Sequence, residues 1–470
     1  MNKNSKSLIK NTMILSLGTI CTKGILFIMV PLFTRWLTQS DYGIFDLIVT
    51  YIALFIPIVT LNCGEAIFRF LIDSDSDKKE KTIITNAFVV SVIGFIFSLI
   101  LTLILYIFIE KFRYLIFYVL ILLFAESIYN LLMMTMRGLK KITSYTISNI
   151  IFVITMVIGS ILFIKVMSLG LPGIMIAYIF GYIISSIYMI IVSKVYKYIS
   201  IKDFDKKETI QMLKYCLPLI PNAISWWIMD ASDRTIVSIF LGTSTNAILA
   251  IAHKVPNLCQ TLYSVFHISW QENATLTIND KDRDKYYNSI MNNMVTILIS
   301  ISSVVLCTNF IFFNYIFENN YFLGYYQVPI LILAIIFSMM AQFIGGIYIA
   351  KKNSKVNGLT TCLAAALNIV IHLSLIKFIG IYASTLSTLF AYIFLFIIRY
   401  VDIKKEINLS FNKKSITSFM YIFALFVLIY INNIYINISL LFISIILFII
   451  INKNLISSIL KKILGRKKYD

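Results

Sequence analysis

Charge is scarce in this chain. Asp, Glu, Lys and Arg make up 13% of its 470 residues, about half the quarter usual in soluble domains. A surface of the required size cannot be covered with so few charges, which excludes a water-soluble fold. Histidine is scarcer still. Only His253, His267 and His372 occur, so no histidine-built metal centre, and no metal or cofactor of any kind, is expected. The six cysteines, Cys21, Cys63, Cys216, Cys259, Cys307 and Cys362, lie in apolar runs without a C-x-x-C pair. They read as small packing residues. No G-x-x-x-x-G-K-[ST] stretch is present, which removes the usual cradle for ATP phosphates. Long polar loops are also missing, and with them the external catalytic surface that a membrane polymerase or ligase of sugar units would need.

What is present is hydrophobic length. Of the residues, 59% are hydrophobic, and they fall into about fourteen runs long enough to cross a bilayer core of about 30 Å. The runs lie near 11–34, 44–68, 83–109, 113–136, 146–165, 171–193, 216–241, 247–270, 290–317, 325–350, 358–376, 379–400, 416–433 and 434–451. Merging the pairs that nearly touch at Gly380 or at Asn432–Asn433 would give twelve. The expected fold class is an all-α, polytopic membrane protein. The first run, after MNKNSKSLIK, is too long for a signal-peptide core, contains Lys23 and lacks a small-x-small cleavage site, so it should remain as a span.

The net charge of +19 could suggest a nucleic-acid partner, but the positions of the basic residues answer otherwise. When alternate sides of the runs are compared, only Arg35, Lys111, Arg113, Lys165 and Lys377 fall opposite the N-terminus. Lys23, Arg234 and Lys254 fall inside runs, and the rest of the 41 basic residues share the side of both termini. Cytoplasmic loops collect Lys and Arg in this way. Both termini are therefore expected in the cytoplasm and the span count is even; no nucleic-acid partner is expected.

The longest polar connection, 194–215, divides six runs from the remainder. The expected organisation is a six-helix lobe at 1–193, a cytoplasmic linker at 194–215, a second six-helix lobe at 216–400, and two extra helices with a basic tail at 401–470. A faint repeat agrees with this. RWLTQSDYG at 35–43 joins runs one and two, and FLGTSTNAI at 240–248 joins runs seven and eight. Transporters are often built from such repeats, with the substrate path between halves.

Charges inside apolar runs cost about 2.5–3.5 kcal/mol each even on a lenient insertion scale, so they usually face a partner or a wet cavity. Ser16, Thr19 and Lys23 share one helical face in run one. In run seven Asn222, Trp226, Asp230 and Asp233 form a stripe, and Arg234 can pair with either acid or line a path. Run eight carries His253, Asn257, Gln260, Ser264, His267 and Gln271 on one face, with Lys254 at its edge. These stripes suggest a cationic cavity built on Lys23, Arg234 and Lys254, with Ser16, Thr19, Asn222, Asn257 and Gln260 as its polar lining. Glu126, at mid-depth in run four with Asn130 a turn on, is a candidate ion-coupling acid, as are Asp230 and Asp233. Most tyrosines and phenylalanines read as lipid-facing or interfacial.

Two stretches resemble a known family. PLFTRWLTQSDYGIFDLIVTY with Gly64, Ala66 and Arg69 of NCGEAIFRF is similar to the start of polysaccharide flippases of the Wzx type. Pro218 to Lys254, with Asp233-Arg234, Phe240-Leu241-Gly242 and the A-x-K ending, is similar to the start of their second half. These flippases belong to the multidrug/oligosaccharidyl-lipid/polysaccharide exporter superfamily. Leu249 and His253 stand where family members often carry tyrosines. The resemblance implies a transporter, not an enzyme, in the bacterial cytoplasmic membrane. It would move an undecaprenyl-pyrophosphate-linked oligosaccharide to the outer leaflet, with membrane lipid and other polysaccharide biosynthesis proteins as partners. A multidrug exporter of the same superfamily is the alternative, followed by a membrane polysaccharide polymerase or ligase.

Overall fold

The computed structural model describes residues 18, 22–72, 74, 76–108, 113–351, 353–453 and 457. Its long elements are all helices: α1 (22–36), α2 (Gln39–Val59), α3 (Cys63–Ile72), α4 (Asp77–Phe108), α5 (Arg113–Gly138), α6 (Ile142–Ser160) and α7 (Gly170–Ser193). They continue as α8 (Lys206–Cys216), α9 (Leu219–Leu241), α10 (Thr243–Thr277), α11 (Arg283–Ile311), α12 (Val328–Ala350), α13 (Ser354–Ile379), α14 (Tyr382–Ile403), α15 (Lys413–Ile429) and α16 (Ile434–Ile451). Among the described residues ten helices are long and apolar enough to cross a membrane. Helices suit that solvent because each satisfies its own backbone hydrogen bonds where no water can.

The two doubtful breaks are both helix ends. Gly380 follows α13 with φ of 58°, and Asn433 caps α16 by accepting from the amides of Tyr435 and Ile436 at 3.0 and 3.3 Å. Runs three to fourteen each meet a helix, while of run one only Gly18 and residues 22–34 are described. Run two is not continuous, however, and 44–68 divides into α2 and α3. The cause is a Schellman ending in which Asn62 N donates to Pro57 O (2.8 Å) and Leu61 N to Ile58 O (3.2 Å). A leucine, with φ of 46°, holds the left-handed position normally given to glycine.

The chain separates into two compact units, Met1–Ala231 and Ser232–Asp470, so the division falls inside α9. In the first unit the connection after α7 is held against α4. Thr85 Oγ1 donates to Tyr198 O at 3.0 Å, and Asn86 both donates to Asp205 O and accepts from Asp205 N. The first half of α9 belongs here too, with Trp227 Nε1 donating to Thr50 O of α2 at 2.7 Å.

In the second unit a side-chain ladder docks the strand-like segment before α15. Asp284, Asn288 and Asn292 of α11 bond the backbone of Asn408, Ser410 and Asn412, with Asn288 and Asn292 contacting two backbone groups each. Four residues of helix rise about 6 Å and two residues of extended chain about 6.6 Å, so the periods match. The last two helices are thus tied to α11.

Arg399 falls at the end of the run 379–400 and in the sequence counts with the cations on the side of the termini. It lies in α14 and is 1% exposed. Nε donates to Thr360 Oγ1, Nη1 to Ala341 O, and Nη2 to Asn357 O and Thr361 Oγ1, all at 2.9–3.0 Å. One guanidinium thereby joins α12, α13 and α14, a fork that an ammonium cannot reproduce. Arg399→Lys is expected to destabilise the second unit by about 1.5–3 kcal/mol, read as a lowered thermal midpoint of the purified protein in detergent. An unchanged midpoint would contradict the role.

Candidate functional site

Two tight turns build the polar centre of the second unit. Gly242, with φ of 91°, reverses the chain between α9 and α10, and Gly380 does the same between α13 and α14. Each position favours glycine because a Cβ is poorly tolerated at positive φ. Asp233 lies nine residues before Gly242 and His253 eleven after it, so the turn brings them to similar depth. His372 lies eight residues before Gly380 on α13 and Ser384 four after it on α14.

Asp233 is 3% exposed, His253 9%, and His372 and Ser384 0%. Asp233 Oδ2 accepts from Ser384 Oγ at 2.9 Å and faces His253 Nε2 at 3.3 Å. An ionised carboxylate only accepts, so His253 must carry its proton on Nε2 in this contact. Arg234 and His253 both act electrostatically on the same acid, and Asp233 in turn acts on His372. The other carboxylate oxygen, Oδ1, has no hydrogen-bond partner, nor does either ring nitrogen of His372. One turn before His372, Asn368 donates through Nδ2 to Thr388 Oγ1 at 3.3 Å, leaving its Oδ1 without a partner.

The question of what Asp233 does therefore has an answer from three helices. It is engaged by a histidine and a serine as well as by the neighbouring arginine. Arg234 and Lys254 are both partly buried and both make contacts of their own. Asn222 and Asp230 lie on α9, with side chains outside the described ones. Ser16 and Thr19 also lie outside the described residues.

The face of α10 beyond Lys254 is shared between two roles. Asn257 is exposed. Gln260 reaches Gln342 of α12 at 3.5 Å, and His267 lies 3.2 Å from the Gln342 carbonyl. Tyr263 and Trp270 donate to Met339 O and Phe343 O, both at 2.8 Å. Part of the polar stripe thus serves packing on α12.

In the first unit Lys23 lies on α1 with an exposed side chain. Glu126 of α5 lies against Tyr178 and Tyr182 of α7. Phe152 of α6 stacks on Tyr182 with ring centroids 4.5 Å apart, and Tyr129 is 5.2 Å from Tyr182. Tyr129 also donates to Asn149 Oδ1 at 2.9 Å. These tyrosines pack within the unit around an acid, not outward towards lipid as the sequence pattern suggested. Hydroxyls at the end of aromatic rings explain the difference, since they can serve a buried carboxylate that phenylalanine could not.

Helical spacing could not have found Ser384 or His372, which come from helices more than a hundred residues from Asp233. One signal was available: a histidine within an apolar run is costly unless paired, and His372 sits in such a run.

The sequence model of a family described as "Polysaccharide biosynthesis protein" matches residues 8–269. No curated protein matches the chain by sequence. Among solved structures, lipid II flippase MurJ in an inward closed conformation aligns with TM-score 0.67 and 16% identity, covering 94% of this chain and all of that one. An inward-facing multidrug resistance MATE family transporter of the MOP superfamily aligns with TM-score 0.59 and 10% identity, covering 87% of this chain and 98% of that one. An outward-facing multidrug resistance MATE family transporter aligns with TM-score 0.56 and 13% identity, covering 88% of this chain and 96% of that one. At these identities the likeness is one of fold.

Asp233→Ala is expected to leave His253 and Ser384 without their acceptor and to lower stability by about 1–3 kcal/mol. Ser384→Ala should cost less, since it removes one of the donors and leaves the histidine contact. Thermal unfolding of the two purified variants checks the order, and equal midpoints would contradict the assigned geometry.

Proposed function

From the premise that the chain belongs to the polysaccharide biosynthesis protein family, we propose that it translocates an undecaprenyl-pyrophosphate-linked oligosaccharide across the bacterial cytoplasmic membrane. The oligosaccharide would then be available for assembly into a surface polysaccharide. The observation that carries this reading is the family match joined to a fold that aligns over 94% of the chain with a lipid flippase.

The chemistry of the residues supports it. A pyrophosphate and its sugars must cross about 30 Å of hydrocarbon while the polyprenyl tail stays in lipid. The protein must therefore supply cations and hydrogen-bonding groups at membrane depth. In this reading Lys23, Arg234 and Lys254 bind the phosphates, while Ser16, Thr19, Asn222, Asn257 and Gln260 serve the sugars. Guanidinium and ammonium groups suit a polyanion, the first by its planar fork and the second as a mobile point charge. Glu126, Asp230 and Asp233 are the acids through which an ion gradient could be coupled. Such a gradient, or the membrane potential, would drive the step in the absence of a nucleotide cradle. Membrane lipid and other proteins of polysaccharide assembly are the expected partners.

A multidrug exporter is the second reading, favoured by the fold shared with a multidrug transporter and by the buried acids. An organic cation would need an acid as its counter-ion. Asp233 is poorly suited, because it is 3% exposed and enclosed by His253 and Ser384.

In cells that depend on this chain for polymer export, Arg234→Ala and Lys23→Ala are each expected to abolish surface polymer while the protein still inserts at normal levels. Wild-type polymer in both variants would refute the proposed phosphate-binding cations.

A further inference from the structure

Apolar side chains grouped in the open call for a neighbour outside the chain, because leaving them in water is unfavourable. The connection between α7 and α9 carries such a group. Ile201 is 87% exposed, the highest value among the described large apolar residues, and Tyr196, Ile199 and Phe204 are exposed beside it. Apolar residues on the spans are exposed because lipid surrounds them. These four lie instead in the lysine-rich connection that separates the apolar runs 171–193 and 216–241.

The connection is pinned in place. Lys141 Nζ donates to Ser193 O at the exit of α7 at 2.9 Å. Thr85 Oγ1 of α4 donates to Tyr198 O at 3.0 Å and accepts from Ser200 N at 3.1 Å, while Asn86 holds both backbone groups of Asp205. Asp205 then caps α8 by accepting from Lys207 N and Glu208 N. Residues 198–205 are thus fixed at both ends to one turn of α4, with Ile199, Ile201 and Phe204 left open between the pins. The pins also set a depth. Thr85 and Asn86 are fully buried and follow Lys81, the last charged residue of α4, by about one turn. From Thr82 to Phe108 that helix carries no charge. The first uncharged turn of a span lies where hydrocarbon meets headgroups, so the open residues sit at headgroup level.

Charge selects the neighbour. Lys194, Lys197, Lys202, Lys206, Lys207 and Lys214 are all exposed, against three acids in the same segment, one of which, Asp205, is engaged as the cap of α8. The adjoining first turn of α4 adds Lys78, Lys79 and Lys81 against Asp77 and Glu80. Lysines interleaved with apolar side chains suit an anionic lipid surface, the apolar groups entering the acyl boundary and the ammonium groups meeting phosphates. We propose that residues 194–215 form an interfacial strap that docks on anionic phospholipid headgroups of the leaflet on the side of the termini, with Ile199, Ile201 and Phe204 inserted below the phosphates. The charge of that leaflet then sets how firmly the connection between α7 and α8 is held. The strap does not depend on which substrate the chain moves.

The test compares the full chain in nanodiscs of phosphatidylcholine alone with the full chain in nanodiscs containing phosphatidylglycerol as well. Hydrogen–deuterium exchange across residues 194–215 is read by mass spectrometry in both. Exchange at 199–204 should slow by about fivefold or more with the anionic lipid, the factor expected of a single lysine near an anionic surface. High salt should reverse the slowing, because screening shortens electrostatic reach. The variant Lys197→Gln/Lys202→Gln/Lys207→Gln should lose the response, while its α12 peptides exchange as in the wild type and so report a folded protein. Equal exchange of the wild type in the two membranes, or a full response in the variant, would overturn the proposal. A second arm places a probe at the tip. In Ile201→Trp, the emission added to that of the four native tryptophans should be quenched by brominated phosphatidylglycerol and shielded from acrylamide in the water. Quenching by acrylamide and not by the brominated lipid would place the tip in water, as a surface for a soluble partner, and would equally overturn the proposal.

Discussion

No water is available inside a bilayer to satisfy a polar group, and the whole chain is arranged around that constraint. It dictates helices for the backbone. It also dictates that the polar side chains on those helices find one another. Asp233 takes donors from α10 and α14; Arg399 gives its donors to α12 and α13; Glu126 lies among the tyrosines of α7. Each is a charge that would be costly alone and that, once partnered, fixes how its helices pack. The groups left without partners in the second unit are exceptions to the same rule, and that makes them informative.

The fold was legible because hydrophobic length is a coarse signal that survives without context. Runs of about twenty apolar residues located nearly every helix, and the breaks at Gly380 and Asn432–Asn433 were visible as interruptions of those runs. The end of α2 was not visible, because a leucine occupies the left-handed position where glycine would have announced it. The role of Arg399 was missed for a related reason: charge near the end of an apolar run looks like a boundary when its partners on other helices are unknown.

The site was legible only in part. Helical periodicity identified Asp233, Arg234 and the α10 stripe, since those relations lie within one helix or across one turn. It gave no access to Ser384, whose meeting with Asp233 depends on packing between distant segments. On α10 it also did not show that Gln260 and His267 reach Gln342 of α12. The aromatic cluster around Glu126 was missed because tyrosine is common both at membrane interfaces and beside buried acids, and composition does not separate the two.

Under the proposed function the substrate is a lipid-linked saccharide, and the distinction that matters is between that substrate and an organic cation. The direct measurement is translocation by the purified chain in liposomes, using a labelled lipid-linked oligosaccharide in one set and a cationic dye in another. The account predicts accelerated movement of the oligosaccharide between leaflets and no transport of the dye. Dye transport without oligosaccharide movement would contradict it.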